Sequence, residues 1–168
     1  MTDSSNIQNT EDIDFILTMN PHGWSTCRIF IGGNSYEVTI THVFGDPYYD
    51  FIKALSNLIE GQESATFFWY GEPGGEKFEL RRIKERKHML HVEVSGFNET
   101  FGKQIKELTP TVEFEIPLKR FLIIAYLQLK KSFLLMKDKI YSTNRQNDFP
   151  FDEFIKFEKI VKDYLSIS

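Results

Sequence analysis

One cysteine stands in a chain of 168 residues, and no stretch approaches the roughly 18 consecutive apolar residues of a membrane span. Each absence excludes something. A lone Cys27 cannot close an internal disulfide, which fits a reducing compartment and makes the cytoplasm the expected location. Met1 to Thr10 is polar and lacks the basic-then-apolar order of a secretory leader, so residues 1–10 read as a short disordered tail. Internal repeats are lacking, as is any Pro/Gly/Ser-rich linker, so residues 11–168 read as a single domain.

What is present is bulk. Hydrophobic residues make up 41% of the chain and aromatics 15%, with 16 phenylalanines, enough to fill a sizeable core between a sheet and helices. The formal charge is −4, which argues against a dedicated nucleic-acid binder. Its distribution is uneven. Residues 1–64 carry nine acids against Arg28 and Lys53, a local charge of −7 that leaves +3 for the remainder. An acidic half can attract a basic partner, although an ordinary solvated surface has the same composition.

The clearest structural signal is a double hairpin over residues 63–97. Phe67 and Trp69, then Phe78 and Leu80, then Leu90, Val92 and Val94 take every second position of three short runs. Gly71-Glu72-Pro73-Gly74-Gly75 separates the first two runs and Lys84-Glu85-Arg86-Lys87 the next two. Such alternation describes antiparallel strands with one buried and one wet face. Ile13–Met19, Trp24–Ile31 and the run carrying Tyr36, Val38, Ile40 and His42 predict an earlier meander, closed by His22-Gly23 and Gly32-Gly33-Asn34 turns. Val112, Phe114 and Ile116 alternate with Glu113 and Glu115 in one more strand.

Three helices are expected. Asp46 and Pro47 form an N-terminal start signal for a helix ending near Gly61. A second runs from Leu118 to about Lys137 and is so apolar around its circumference that it should be sandwiched. The last, with Phe151, Phe154, Phe157, Val161, Tyr164 and Leu165 as its stripe, should cap the second from outside. The expected fold class is therefore α+β: one antiparallel sheet of about six or seven strands, with three helices segregated to one face.

Candidate chemistry is sparse. Cys27 sits mid-strand and reads as a buried, inert thiol. His88 and His91, three apart in a strand, point to opposite faces, and no other ligand stands at metal spacing, so no metal or cofactor is expected. The glycine turn 71–75 is followed by a strand rather than a helix and holds a glutamate where a phosphate cradle would want a lysine. The carboxylate pairs Asp12/Asp14 and Glu113/Glu115 read as members of a solvated face. The basic run Arg81–Lys87 is narrow and interrupted by Glu85, a solvated hairpin tip rather than a phosphate-binding stripe.

One face departs from this pattern. If Phe67 and Trp69 point to the helices, then Phe68 and Tyr70 point outward beside Glu79, Arg81, His91 and Glu93. Aromatics interleaved with charges are the composition of protein-binding surfaces, and these six residues are the expected partner contacts. Coverage by residues 96–110 or by a second copy of the chain is the competing account.

Several local patterns carry a resemblance: Gly23-Trp24-Ser25, Gly45-Asp46-Pro47, Ala54-Leu55 with Leu58 and Gly61, Phe67-x-Trp69, and Glu72-Pro73-Gly74-Gly75. Together, over residues 12–95 with weaker echoes at Asp148-Phe149-Pro150 and in the last helix, they resemble a group of small bacterial α+β proteins. Some members of that group resemble immunity partners of polymorphic or contact-dependent toxins. The resemblance, with the acidic first half and the aromatic-charged sheet face, points to a non-enzymatic module that binds another protein, a toxin domain. The net charge argues against nucleic acid as a partner, and the lack of a long apolar run against a membrane. Two other readings stay open: a small-ligand protein or enzyme with a pocket near Tyr36, His42 and Cys27, and a structural homodimer.

Overall fold

The computed structural model describes residues 12–145 and 148–168. The expected tail over residues 1–10 lies outside them. In chain order the elements are β1 (Ile13–Asn20), β2 (Trp24–Ile31), β3 (Asn34–Thr41), α1 (Pro47–Ile59), β4 (Ser64–Tyr70), β5 (Gly75–Ile83), β6 (Arg86–Phe97), β7 (Thr109–Pro117), α2 (Leu118–Leu135), α3 (Lys139–Ser142) and α4 (Phe151–Leu165). The class is α+β and every strand pairing is antiparallel.

The single sheet expected from the sequence is two: a three-stranded meander β1-β2-β3 and a four-stranded meander β4-β5-β6-β7. Alternation determines which face a side chain takes but not which strand edges join. Here α1 lies between β3 and β4 in the chain, and its Tyr48, Phe51, Ile52, Leu55 and Leu58 are all buried. The Phe51 ring lies 6.4 Å from Phe15 in β1 and 5.3 Å and 5.4 Å from Phe67 and Trp69 in β4. Side-chain packing through that ring thus links the sheets where edge hydrogen bonds do not.

The helix start at Asp46 is as expected. Its Oδ1 accepts from Tyr49 N at 2.9 Å, and Gly61, at φ +99°, takes the left-handed position that ends the helix. Trp69 Nε1 donates to the Pro47 carbonyl at 3.1 Å, seating the helix start on β4. The β4–β5 turn depends on glycine for space: a Cβ on Gly75 would stand 2.5 Å from the Trp69 carbonyl oxygen and 2.9 Å from the Phe97 ring.

Among the described residues there are four helices rather than three. The extra turn α3 starts at Asp138, whose carboxylate accepts from Tyr141 N at 2.8 Å. The sandwiched α2 also needs correction. It packs on β1, β6 and β7 and against α4, yet Ile123, Leu127 and Leu134 stay 40%, 54% and 51% exposed. The reason is that α4 flanks the helix instead of roofing it: Tyr126 donates to Glu158 at 2.9 Å and stacks on Phe154.

Two long-range ties join the β1–β2 hairpin to residues 141–145. The His22 amide donates to the Asn144 carbonyl at 2.8 Å. The Met19 carbonyl accepts from Tyr141 OH at 3.2 Å and Arg145 Nε at 2.8 Å. No helix among the described residues is long and apolar enough to cross a membrane.

Candidate interaction face

The outer face of the four-stranded sheet carries all six residues singled out from the sequence. In β4, Phe67 and Trp69 are buried while Phe68 and Tyr70 are half-buried on the opposite side. Pairing then sets two rows across the sheet: Thr66–Glu79–Glu93–Glu113, and Ser64–Arg81–His91–Glu115.

Three glutamates standing directly opposite one another are unfavourable by themselves. Each is answered by a cation or an imidazole. Lys77 Nζ lies 2.7 Å from Glu79, Arg81 3.6 Å from Glu93, and His91 Nε2 2.6 Å from Glu113, while Arg86 meets Glu115 at 2.9 Å. The hydrogen bond from Lys77 is the main influence holding the Glu79 carboxyl below its ordinary range. The face is a lattice of ion pairs with one imidazole–carboxylate contact, along and between strands, partly exposed, and not a field of one sign.

Its other end is aromatic. Phe97 packs on Phe68 at 6.2 Å and on Tyr70 at 5.5 Å; Phe101 meets Tyr70 at 4.9 Å and stacks on Phe44 at 4.8 Å. Phe97 is buried, but on the outer face, and Phe101 remains 45% exposed. Phe97 shares the parity of His91 and Glu93 along β6, a signal present in the sequence; Phe44, in the loop after β3, gave none.

The basic run is absorbed by the fold. Arg82 donates to the Leu58 carbonyl, which the Gly61 amide also reaches at 3.2 Å, and to the Gln62 carbonyl just past α1, so it reinforces the end of the helix. Arg81 and Arg86 belong to the lattice, and Lys87 lies 3.9 Å from Glu63.

The pocket reading of Tyr36, His42 and Cys27 meets a packed interior. The void lined by Cys27 measures about 20 Å³, too small for more than one water, and is walled by Phe15, Phe51, Phe67 and Phe78. Burial pushes the Cys27 thiol up to about 12, far from a reactive thiolate. His42 instead joins a group the sequence reading did not assemble. Its Nε2 is 2.7 Å from Ser25 Oγ, its Nδ1 is 3.9 Å from Asp148, and Ser25 Oγ is also 3.1 Å from Tyr48 OH. The order hydroxyl–imidazole–carboxylate is that of a nucleophilic relay. Ser25 is fully buried, however, with Tyr48 against the same oxygen, so no substrate carbonyl can reach it. Burial drives the His42 imidazole down to about 4.

A larger cleft of about 470 Å³ lies beyond the glycine turn, lined by Glu76, Asn98, Glu99, Glu107, Thr109 and Thr111 among others. Burial raises the Glu76 carboxyl to about 7. Glu99 is held low by backbone amides, that of Lys106 first at 2.9 Å, and so stabilises its own loop. The cleft's acids are Glu76, Glu99 and Glu107, and its hydroxyls are those of Thr109 and Thr111. Among the described residues no group of three or more His, Cys, Asp or Glu side chains could hold a metal ion.

Comparison with known proteins adds no family. The chain matches no family model, no curated protein and no solved structure.

Proposed function

We propose that this protein is a non-enzymatic binding module of the immunity type, which neutralises a toxin domain by docking it on the outer face of the four-stranded sheet. The observation that supports this is the juxtaposition on one sheet face of an aromatic end, Phe68 and Tyr70 with Phe101 beside them, and the carboxylate row Glu79–Glu93–Glu113. Aromatic side chains that bury on contact supply affinity, and carboxylates held in place by Lys77, Arg81 and His91 can exchange those partners for cations of a basic toxin site. Arg81 and His91 therefore act as placeholders in the free protein. The acidic balance of the first 64 residues would assist the encounter.

The test is co-expression with the product of the neighbouring gene. Purified complex is expected, and Tyr70→Ala together with Glu93→Lys should weaken it by about 100-fold or more, as loss of a hot-spot aromatic and reversal of an interfacial charge do. Isothermal titration reads the change. A neighbouring gene whose product neither binds nor harms the host removes the proposal, as does a complex indifferent to both substitutions. Sedimentation showing a dimer closed through Tyr70 would replace it with the homodimer reading.

A further inference from the structure

The surface of α2 points to a second docking site, of different chemistry. By the 3.6-residue turn, Ile123, Leu127 and Leu134 fall within about 40° of one another around the helix. They are 40%, 54% and 51% exposed, on a side of the helix that α4 borders through the Lys130–Glu158 pair. Over its 18 residues the helix carries Lys119, Arg120, Lys130 and Lys131 and no acid. The same periodicity places Lys119 and Lys130 on one flank of the apolar ridge, Arg120 and Lys131 on the other. Glu158 of α4 neutralises Lys130 at 2.8 Å, and Lys131 donates to Gln128 at 2.9 Å. Lys119 and Arg120 have no carboxylate of the chain within ion-pair distance among the described residues.

We infer that this ridge docks on an anionic lipid surface, Ile123, Leu127 and Leu134 entering the headgroup boundary while Lys119, Arg120 and Lys131 meet lipid phosphates. Charge decides the occupant. A second copy pairing α2 with α2 would set cations against cations with no acid on either helix to relieve them. A planar anionic surface instead answers both flanks at once, the arrangement in which basic amphipathic helices lie in an interface. The net charge of −4 does not prevent this, because charges more than a Debye length of about 8 Å away are screened at physiological salt. The absence of a spanning segment does not bear on it, since contact of this kind crosses nothing. Three half-exposed aliphatic side chains and three cations make the contact reversible and salt-sensitive.

The full chain is mixed with vesicles of phosphatidylcholine alone and with vesicles rich in phosphatidylglycerol, and the bound fraction is read by sedimentation. Binding only to the anionic vesicles, falling as salt is raised, is expected. Leu127→Glu with Leu134→Glu should weaken it by about ten-fold or more, and Lys119→Glu with Arg120→Glu by a similar factor. All four positions lie outside the buried core, and unchanged circular dichroism and melting temperature confirm the fold. Equal binding to both vesicles, binding to neither, or indifference to Leu127→Glu overturns the inference. So does a concentration-dependent dimer that Leu127→Glu dissolves, which would assign the ridge to a second copy. Glu93→Lys on the sheet face should leave vesicle binding unchanged, which keeps this result separate from the toxin-binding proposal.

Discussion

Ser25 Oγ and His42 Nε2 lie 2.7 Å apart, one at the start of the three-stranded sheet's central strand and the other just past its third. The pair is closed in by Tyr48 of α1 and by Asp148 and Phe149 ahead of α4. A buried imidazole there joins the sheet, α1 and the segment leading into the last helix.

Acid should loosen this junction. His42 titrates near 4 in the folded protein against an ordinary value of 6.5, so between these limits the unfolded chain binds more protons. Its contribution is therefore complete above pH 6.5 and is lost as pH falls through that window, by roughly 3 kcal/mol at most. Urea denaturation at pH 7.5, 6, 5 and 4 reads this, and His42→Asn should remove much of the slope. Equal slopes in the two proteins would contradict it.

Gly75→Ala should be costly although the residue sits in an extended strand. The added methyl would meet the Trp69 carbonyl and the Phe97 ring at contact distances no packed interior tolerates. A loss of about 2–4 kcal/mol is expected, typical of overpacking against a rigid backbone. The same substitution at Gly45, where nothing lies near the Cβ position, should cost well under 1 kcal/mol. Denaturation midpoints of the two variants make the comparison.

Arg82→Leu should destabilise the protein by about 1–2 kcal/mol, because it removes the guanidinium donor to the Leu58 and Gln62 carbonyls, leaving Leu58 O only its 3.2 Å bond from Gly61 N. Lys84→Leu, in the β5–β6 turn, should be close to neutral. If both behave alike in thermal melts, the capping role assigned to Arg82 is mistaken.

Strand faces were legible because period-two alternation is local. Phe67, Trp69, Phe78, Leu80, Val92 and Val94 are buried as their spacing required, and the six face residues point the other way for the same reason. Which edges pair is not local. The two sheets meet through Phe51, a contact between residues 15, 51 and 67 that no window of sequence contains. The exposed ridge of α2 escaped for a related reason: composition records how apolar a helix is, but not that its neighbour comes from the side. The lattice on the candidate face was half visible. Parity put Glu79, Arg81, His91 and Glu93 together, whereas the pairing between strands needs the cross-strand register.

The ties from Met19 and His22 to residues 141–145 have a bearing on how the molecule comes apart. They bind the first hairpin turn to a segment more than a hundred residues later, so that turn and residues 141–145 should open together. Amide exchange in β1 and β2 and in the stretch around α3 is expected to rise at one common denaturant concentration, and Arg145→Ala, which removes a donor to the Met19 carbonyl, should loosen the opening hairpin along with its own segment.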